Sequence, residues 1–276
     1  MLNILPERLL SKMQSILQSG AISESADVSP VVLPKLPSGA SCEPSAPSSC
    51  EVWIVRHGER YDEVPGNTWY ETSGAAWLDP PLTACGRVQA EHAAVVLDTM
   101  LRETHTDTAA PLIDAIFSSP LQRCIATAAA APFSRIFNLP IRPVPGLAEC
   151  AAALRGEATS KATWEKARLP LMRPDQLQEL CPDATFVPED EIVEPFISPE
   201  GVCAAARLTD GKQRILVVTH REAIRDLTAL AGTPVRKTPY CCIARFSFAR
   251  DTCRWSFHGV HTADDLALAF ECRDSI

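Results

Sequence analysis

The chain has 276 residues, 46% of them hydrophobic and 22% charged, an ordinary balance for a folded protein with enough apolar side chains to build a sizeable core. A formal net charge of -8 and a pI near 5.3 argue against a general nucleic-acid binder, so any anion site has to be a local basic pocket in an acidic protein. No segment approaches the roughly 18 uninterrupted apolar residues that a membrane span needs, and eleven scattered cysteines without a CxxC pair carry no zinc or redox signature, which points to reduced thiols in a cytoplasmic protein.

The first predicted element is a short amphipathic helix over residues 1 to 19, where Ile4, Leu5, Leu9, Met13, Ile16 and Leu17 recur at helical spacing. A stretch rich in serine, proline and alanine follows to about residue 50 and reads as a flexible tether. Residues 1–50 are therefore separated from a single domain over 51–276. Docking onto that domain or onto a partner is the favoured role of the helix. A mitochondrial presequence is the alternative, with Arg8 and Lys12 in its favour and Glu7 against it.

From residue 51 strand-like runs alternate with helices, the pattern of an α/β fold with a mostly parallel sheet between helical layers. Val52 to Val55 is the first strand, and it runs directly into Arg56, His57 and Gly58, with Arg60 just beyond. Two guanidiniums beside one imidazole disfavour its protonated form and create a place for an anion. Thr83 caps a helix continuing to about Arg102, Ile113 to Phe117 is a second strand, and Ser119 with Pro120 opens a helix that carries Arg123 in its first turn. Residues 150 to 210 are acidic and rich in proline, with one short helix after Ser198. Ile215 to Val218 then forms a buried strand ending at His220, a helix through Ile224 and Leu227 follows, and Cys241 to Phe248 and Arg254 to Phe257 are the final strands.

Arg56, His57, Arg60, Arg123 and His220 thus follow three strand ends. In an open α/β sheet ligands bind at the carboxyl ends of the strands, so these side chains can converge on a phosphoryl group. Glu91 and His92 read as solvated, and His105, His258 and His261 lack charged neighbours in sequence. No HxH or HExxH spacing supports a metal site, and clustered arginines repel a cation.

The segments "VRHGER", "SSPLQRC", "PGLAEC" and "VVTH", in this order between residues 51 and 260, resemble the histidine phosphatase superfamily of phosphoglycerate-mutase-like enzymes. Within it, "RHGER", "PLTACGRVQA", "SSPLQRCIATA" and "VPGLAEC" look most like the phosphatase domains of the suppressor-of-T-cell-receptor-signalling proteins, which also carry ubiquitin-associated and SH3 modules. The resemblance implies a three-layer phosphoglycerate-mutase-like fold, no cofactor and no metal. It implies His57 as a transiently phosphorylated nucleophile, Arg56, Arg60, Arg123 and His220 as the phosphate pocket, Glu149 as general acid and base, and a homodimer. Glu157 is the reserve candidate for the acid. Unlike many relatives the chain continues after His220 with Arg221 and Glu222, and it lacks a tryptophan after Glu149.

The stretch "ERYDEV" after the first motif differs from the serine- and tryptophan-containing stretch of the mutases, which favours a phosphatase acting on a phosphorylated small molecule or phosphoprotein. Tyr61, Trp69, Tyr70 and Trp77 concentrate aromatic surface just beyond it, suited either to an aryl leaving group such as phosphotyrosine or to anchoring their own loop. A mutase and a phosphate-binding scaffold without turnover stay open as alternatives.

Overall fold

A computed structural model of the protein describes residues 48–74, 79–105, 111–130, 133, 136–148, 174–187 and 201–262. All lie within Pro44–Ile276, one of two units into which the chain divides. The helix expected over residues 1 to 19, Trp77, Glu149 and Glu157 lie outside the described residues.

Six strands are described: β1 (Ser49–Arg56), β2 (Ala115–Ser118), β3 (Ile141–Pro143), β4 (Arg214–Thr219), β5 (Ile243–Ala249) and β6 (Arg254–His261). They form one sheet in the order β3-β2-β4-β1-β5-β6. The first four in that order run parallel, and β5 and β6 complete the sheet antiparallel. Every residue of β4 is buried, which is why "RILVVT" reads as a continuous apolar run rather than an alternating one.

Among the described residues five helices longer than one turn cover the sheet: α1 (Ala84–Thr104), α2 (Gln122–Ala128), α3 (Pro174–Leu180), α4 (Gly201–Thr209) and α5 (Arg221–Leu230). Alternation along each strand sends side chains to opposite faces. Trp53, Val55, Ile116, Leu216 and Val218 meet Ala90, Ala94, Leu97 and Leu101 of α1 and Cys124 and Ile125 of α2. On the opposite face Val52, Ile54, Phe117, Ile215 and Val217 meet Ala205 and Leu208 of α4 and Ile224 and Leu227 of α5. Each fully buried leucine contributes about 2 kcal/mol of transfer free energy to these layers. The expected three-layer α/β architecture is the one observed.

Local signals explain most of the boundaries. Thr83 caps α1 as its sequence predicts, accepting the Gly86 N–H at 2.8 Å. Ser119 does not cap the next helix. That helix begins two residues later, behind Leu121, and Asp79 supplies the side-chain acceptor for its first N–H, Gln122 N to Oδ1 at 2.9 Å. Ser119 is otherwise engaged, with Oγ 2.9 Å from His220 Nε2. Cys241 takes a left-handed φ of 54°, so the expected strand from Cys241 starts instead at Ile243. Strand β3 and helix α3 add elements that the sequence pattern does not announce.

No helix among the described residues is long and apolar enough to cross a membrane. Cys50, Cys85, Cys124, Cys181, Cys241, Cys242 and Cys253 are free thiols.

Candidate active site

The register of the parallel strands places the two histidines. Arg56 of β1 pairs with Thr219 of β4, so His57 and His220 are the first residues past a matched pair of strand ends. The His57 N–H continues the ladder to Thr219 O at 3.0 Å. The two rings meet edge to face, with centroids 5.2 Å apart. Ser118 of β2 pairs with Val218, and Ser119 N–H donates to Val218 O at 2.9 Å, which brings α2 and Arg123 to the same sheet end.

Beyond His57 the chain is clamped against the start of α1. A β-carbon on Gly58 would collide with the Gly86 carbonyl, and one on Gly86 with the Glu59 backbone, so both positions need glycine for close approach. Glu59 O accepts the Thr83 N–H at 3.0 Å, Thr83 Oγ1 donates to the Glu59 carboxylate at 2.7 Å, and the Glu59 N–H donates to Gln89 Oε1 at 2.9 Å. The Gly58 N–H donates to Thr127 Oγ1 at 3.1 Å, tying the same turn to α2.

His57 and His220 are each 1% exposed. His57 Nδ1 lies 2.8 Å from Gly58 O, and a carbonyl only accepts, so the proton is on Nδ1 and the lone pair on Nε2. Burial holds the His57 ring well below the usual histidine range, and the charges of Arg123 and Arg56 and the neighbouring His220 add to the effect. Burial, then Arg123, Arg60 and Arg56, do the same to His220. Arg123 Nη2 stands 3.5 Å from His220 Nδ1, so that atom carries a lone pair and Nε2–H faces Ser119 Oγ. Both rings are neutral at physiological pH.

Three arginines surround the pair. Arg56 Nη1 donates to Thr238 O at 2.8 Å, and its guanidinium lies over the Tyr240 ring at 3.9 Å. Its Nε is buried with no hydrogen-bond partner among the described residues, a donor suited to an anion. Arg123 is 1% exposed. Arg60 holds Asp62 through two hydrogen bonds, Nε to Oδ1 at 2.9 Å and Nη2 to Oδ2 at 2.5 Å, and stands 3.8 Å from Glu63. The resemblance puts Arg60 in the phosphate pocket; in the structure its fork faces Asp62 and its charge acts on His220. Arg221 pairs with Glu222 at 2.8 Å and is half-exposed at the rim.

Several site residues have no signal in sequence. Tyr240 packs 5.7 Å from His57, ring to ring, and its hydroxyl bonds to Glu63, joining the loop before β5 to the turn after β1. Asp79 stands 3.5 Å from Arg123. Tyr70 donates to Asp62 at 2.6 Å, and Tyr61 meets Trp69 edge to face at 6.5 Å, so the aromatic insertion is anchored on the Arg60–Asp62 pair. The expectation that His105 lacks charged partners is corrected: its Nε2 lies 2.8 Å from Glu51 Oε2, and Arg214 Nη1 lies 3.2 Å from its Nδ1, at the opposite end of the sheet. Among the described residues no three His, Cys, Asp or Glu side chains come together as a metal ion requires.

A search of curated proteins gives no match. Among solved structures, the chain is similar to an ecdysone phosphate phosphatase from Bombix mori in complex with tungstate, at 20% identity over 76% of this chain and 92% of that one, with a TM-score of 0.48. It is also similar to a phosphoglycerate mutase from Bacillus anthracis str. Sterne, at 16% identity over 80% and 96% of the two chains and a TM-score of 0.45. The protein histidine phosphatase SixA complexed with tungstate is similar at 17% identity over 78% and 99%, with a TM-score of 0.39. A family model spans residues 52–260, from β1 almost to the end of β6, and by that match the chain belongs to the histidine phosphatase superfamily (branch 1).

Proposed function

We propose that the protein is a phosphomonoester hydrolase that works through a phosphohistidine at His57, without a metal. One observation carries the reading: the Nδ1–H bond to Gly58 O leaves the Nε2 lone pair on a buried, neutral ring beside Arg56 and Arg123. That is the state a nitrogen nucleophile needs at neutral pH.

In the first step His57 Nε2 attacks phosphorus as the bond to the leaving oxygen breaks, and Glu149 donates a proton to that oxygen. In the second, Glu149 takes a proton from water, which attacks phosphorus and releases inorganic phosphate from Nε2. Arg56 and Arg123 stabilise charge on the equatorial oxygens, with Arg60 and His220 completing the pocket. Acid and base assistance of this kind contributes about 10²- to 10⁴-fold. Glu149 takes its role from the motif "PGLAEC", with Glu157 in reserve. Although the aromatic turn is anchored on Asp62, Tyr61 and Tyr70 stay exposed, surface that suits an aryl phosphate such as phosphotyrosine as substrate.

The resemblance to the suppressor-of-T-cell-receptor-signalling phosphatase domains carries a homodimer with it, which light scattering tests, and the scattered cysteines without a CxxC pair favour a cytoplasmic location. The activity is tested by hydrolysis of p-nitrophenyl phosphate with excess chelator, beside His57→Ala and Glu149→Ala. Turnover lost in His57→Ala supports the reading. A folded wild type without turnover from acidic to neutral pH overturns it.

A further inference from the structure

Resting on the reading of this pocket as a phosphoryl site, we propose that Asp79 is the resident counter-ion of Arg123, which an incoming phosphoryl dianion displaces with uptake of one proton. Arg123 is a fully buried cation, and a buried charge needs an opposite one near it. Asp79 Oδ1 stands 3.5 Å from Arg123 Nη1, a loose pairing. Its tighter bonds run elsewhere: Oδ1 and Oδ2 accept the Gln122 N–H at 2.9 and 3.2 Å, and its backbone carbonyl accepts from the Gln122 side chain. The carboxyl group is thus fixed to the backbone of α2 and not to the guanidinium. Arg123 can turn to another anion while Asp79 stays in place.

The charge balance then decides what Asp79 does. A dianion bound between Arg56 and Arg123 brings negative charge next to a carboxylate whose side chain is only 16% exposed. Like charges at that range favour protonation of the carboxyl. Its proton affinity is already close: burial pushes Asp79 up to about 6, against the opposing pull of Arg123, the Gln122 N–H and Arg60. Among the described residues those are the groups that face it, Gln122 and Arg123 from α2 and Arg60 from the turn after β1. Beyond Arg123 the imidazoles of His220 and His57 are held neutral by burial before an anion binds, and the Asp79→Asn variant separates any proton they take up from that of Asp79. Asp79 is therefore a positioning residue, acting on the phosphoryl group through Arg123.

The test is sulfate binding to the full chain by calorimetry, because sulfate keeps its two charges across the range. Between about pH 7.5 and 5.5 the wild-type dissociation constant is expected to tighten about tenfold, the behaviour of a site coupled to one carboxyl proton. Asp79→Asn retains an oxygen for Gln122, and it should bind equally at both pH values and as tightly as the wild type at the lower one. Independently of any variant, wild-type binding near neutral pH should take up close to one proton, read from buffers of different ionisation enthalpy. No proton uptake, or the same pH slope in Asp79→Asn, overturns the counter-ion. Absence of sulfate binding in either protein at any pH overturns the phosphoryl site as well.

Discussion

Gly58 and Gly86 lie backbone against backbone, the turn after β1 seated on the first turn of α1 with no room for a β-carbon on either. Gly86→Ala is expected to cost about 1–3 kcal/mol, the usual range for overpacking a tight contact, and to lower kcat by moving the His57 turn. Chemical denaturation and p-nitrophenyl phosphate kinetics on one preparation would check both. A variant as stable and active as the wild type would mean that the contact gives way freely.

His57 and His220 set a second expectation. Each has a folded-state proton affinity below its ordinary value, so in mild acid the unfolded chain binds more protons than the native one and stability falls as pH falls. Each histidine contributes up to about 1.4 kcal/mol per pH unit below about pH 6.5. Asp79, raised to about 6, acts in the opposite sense, because its native form holds a proton that the unfolded chain has lost. His57→Gln should therefore flatten the fall in stability between about pH 6.5 and 5 by close to one proton, measured by denaturant unfolding across pH.

Tyr240 separates two contributions by two substitutions. Tyr240→Phe keeps a ring beneath the Arg56 guanidinium and loses only the bond to Glu63, so KM for p-nitrophenyl phosphate should change by no more than about twofold. Tyr240→Ala removes the ring that holds the guanidinium at 3.9 Å. A contact of this kind is worth about 0.5–2 kcal/mol, and KM is expected to rise between about twofold and thirtyfold. Equal effects of the two substitutions would assign the role to the hydroxyl.

At the other end of the sheet, Glu51 accepts from Arg245 at 2.5 Å and meets His105 at 2.8 Å. Glu51→Gln should lower stability by about 1 kcal/mol, the scale of a charge-assisted hydrogen bond that is partly exposed. Its kcat should match that of the wild type, because the site forms at the carboxyl ends of the strands. A large fall in kcat would mean that the two ends of the sheet communicate.

What was legible in the sequence was what local patterns encode. "EVWIV" and "RILVVT" announce buried strands, and a histidine following each announces that the two could meet, since parallel strands bring their carboxyl ends together. Thr83 as a helix cap and Arg123 in the opening turn of its helix were readable for the same reason. What depends on chain crossing was not. The Asp79–Arg123 pair spans 44 positions, Tyr240 reaches Glu63 across 177, and His105 finds Arg214 across 109. Strand β3 has only three residues and ends on Pro143, too little for a period to show. Ser119 misled because its hydroxyl had two uses, a helix cap and a bond to His220, and sequence shows only the first.

Strand β1 is paired along its length on both sides, parallel to β4 and antiparallel to β5, and His57 follows it directly. Amides in such a doubly paired strand open to solvent only with the whole domain, so their hydrogen exchange should rank with the slowest in the molecule. Arg60 and Tyr240, by contrast, stand on turns between elements. His57, the proposed nucleophile, and Arg56 are thus mounted on the last part of the fold to come apart, and the side chains that border them, Arg60 and Tyr240, on parts that can yield first. Heat or denaturant should loosen selectivity before it disarms the histidine.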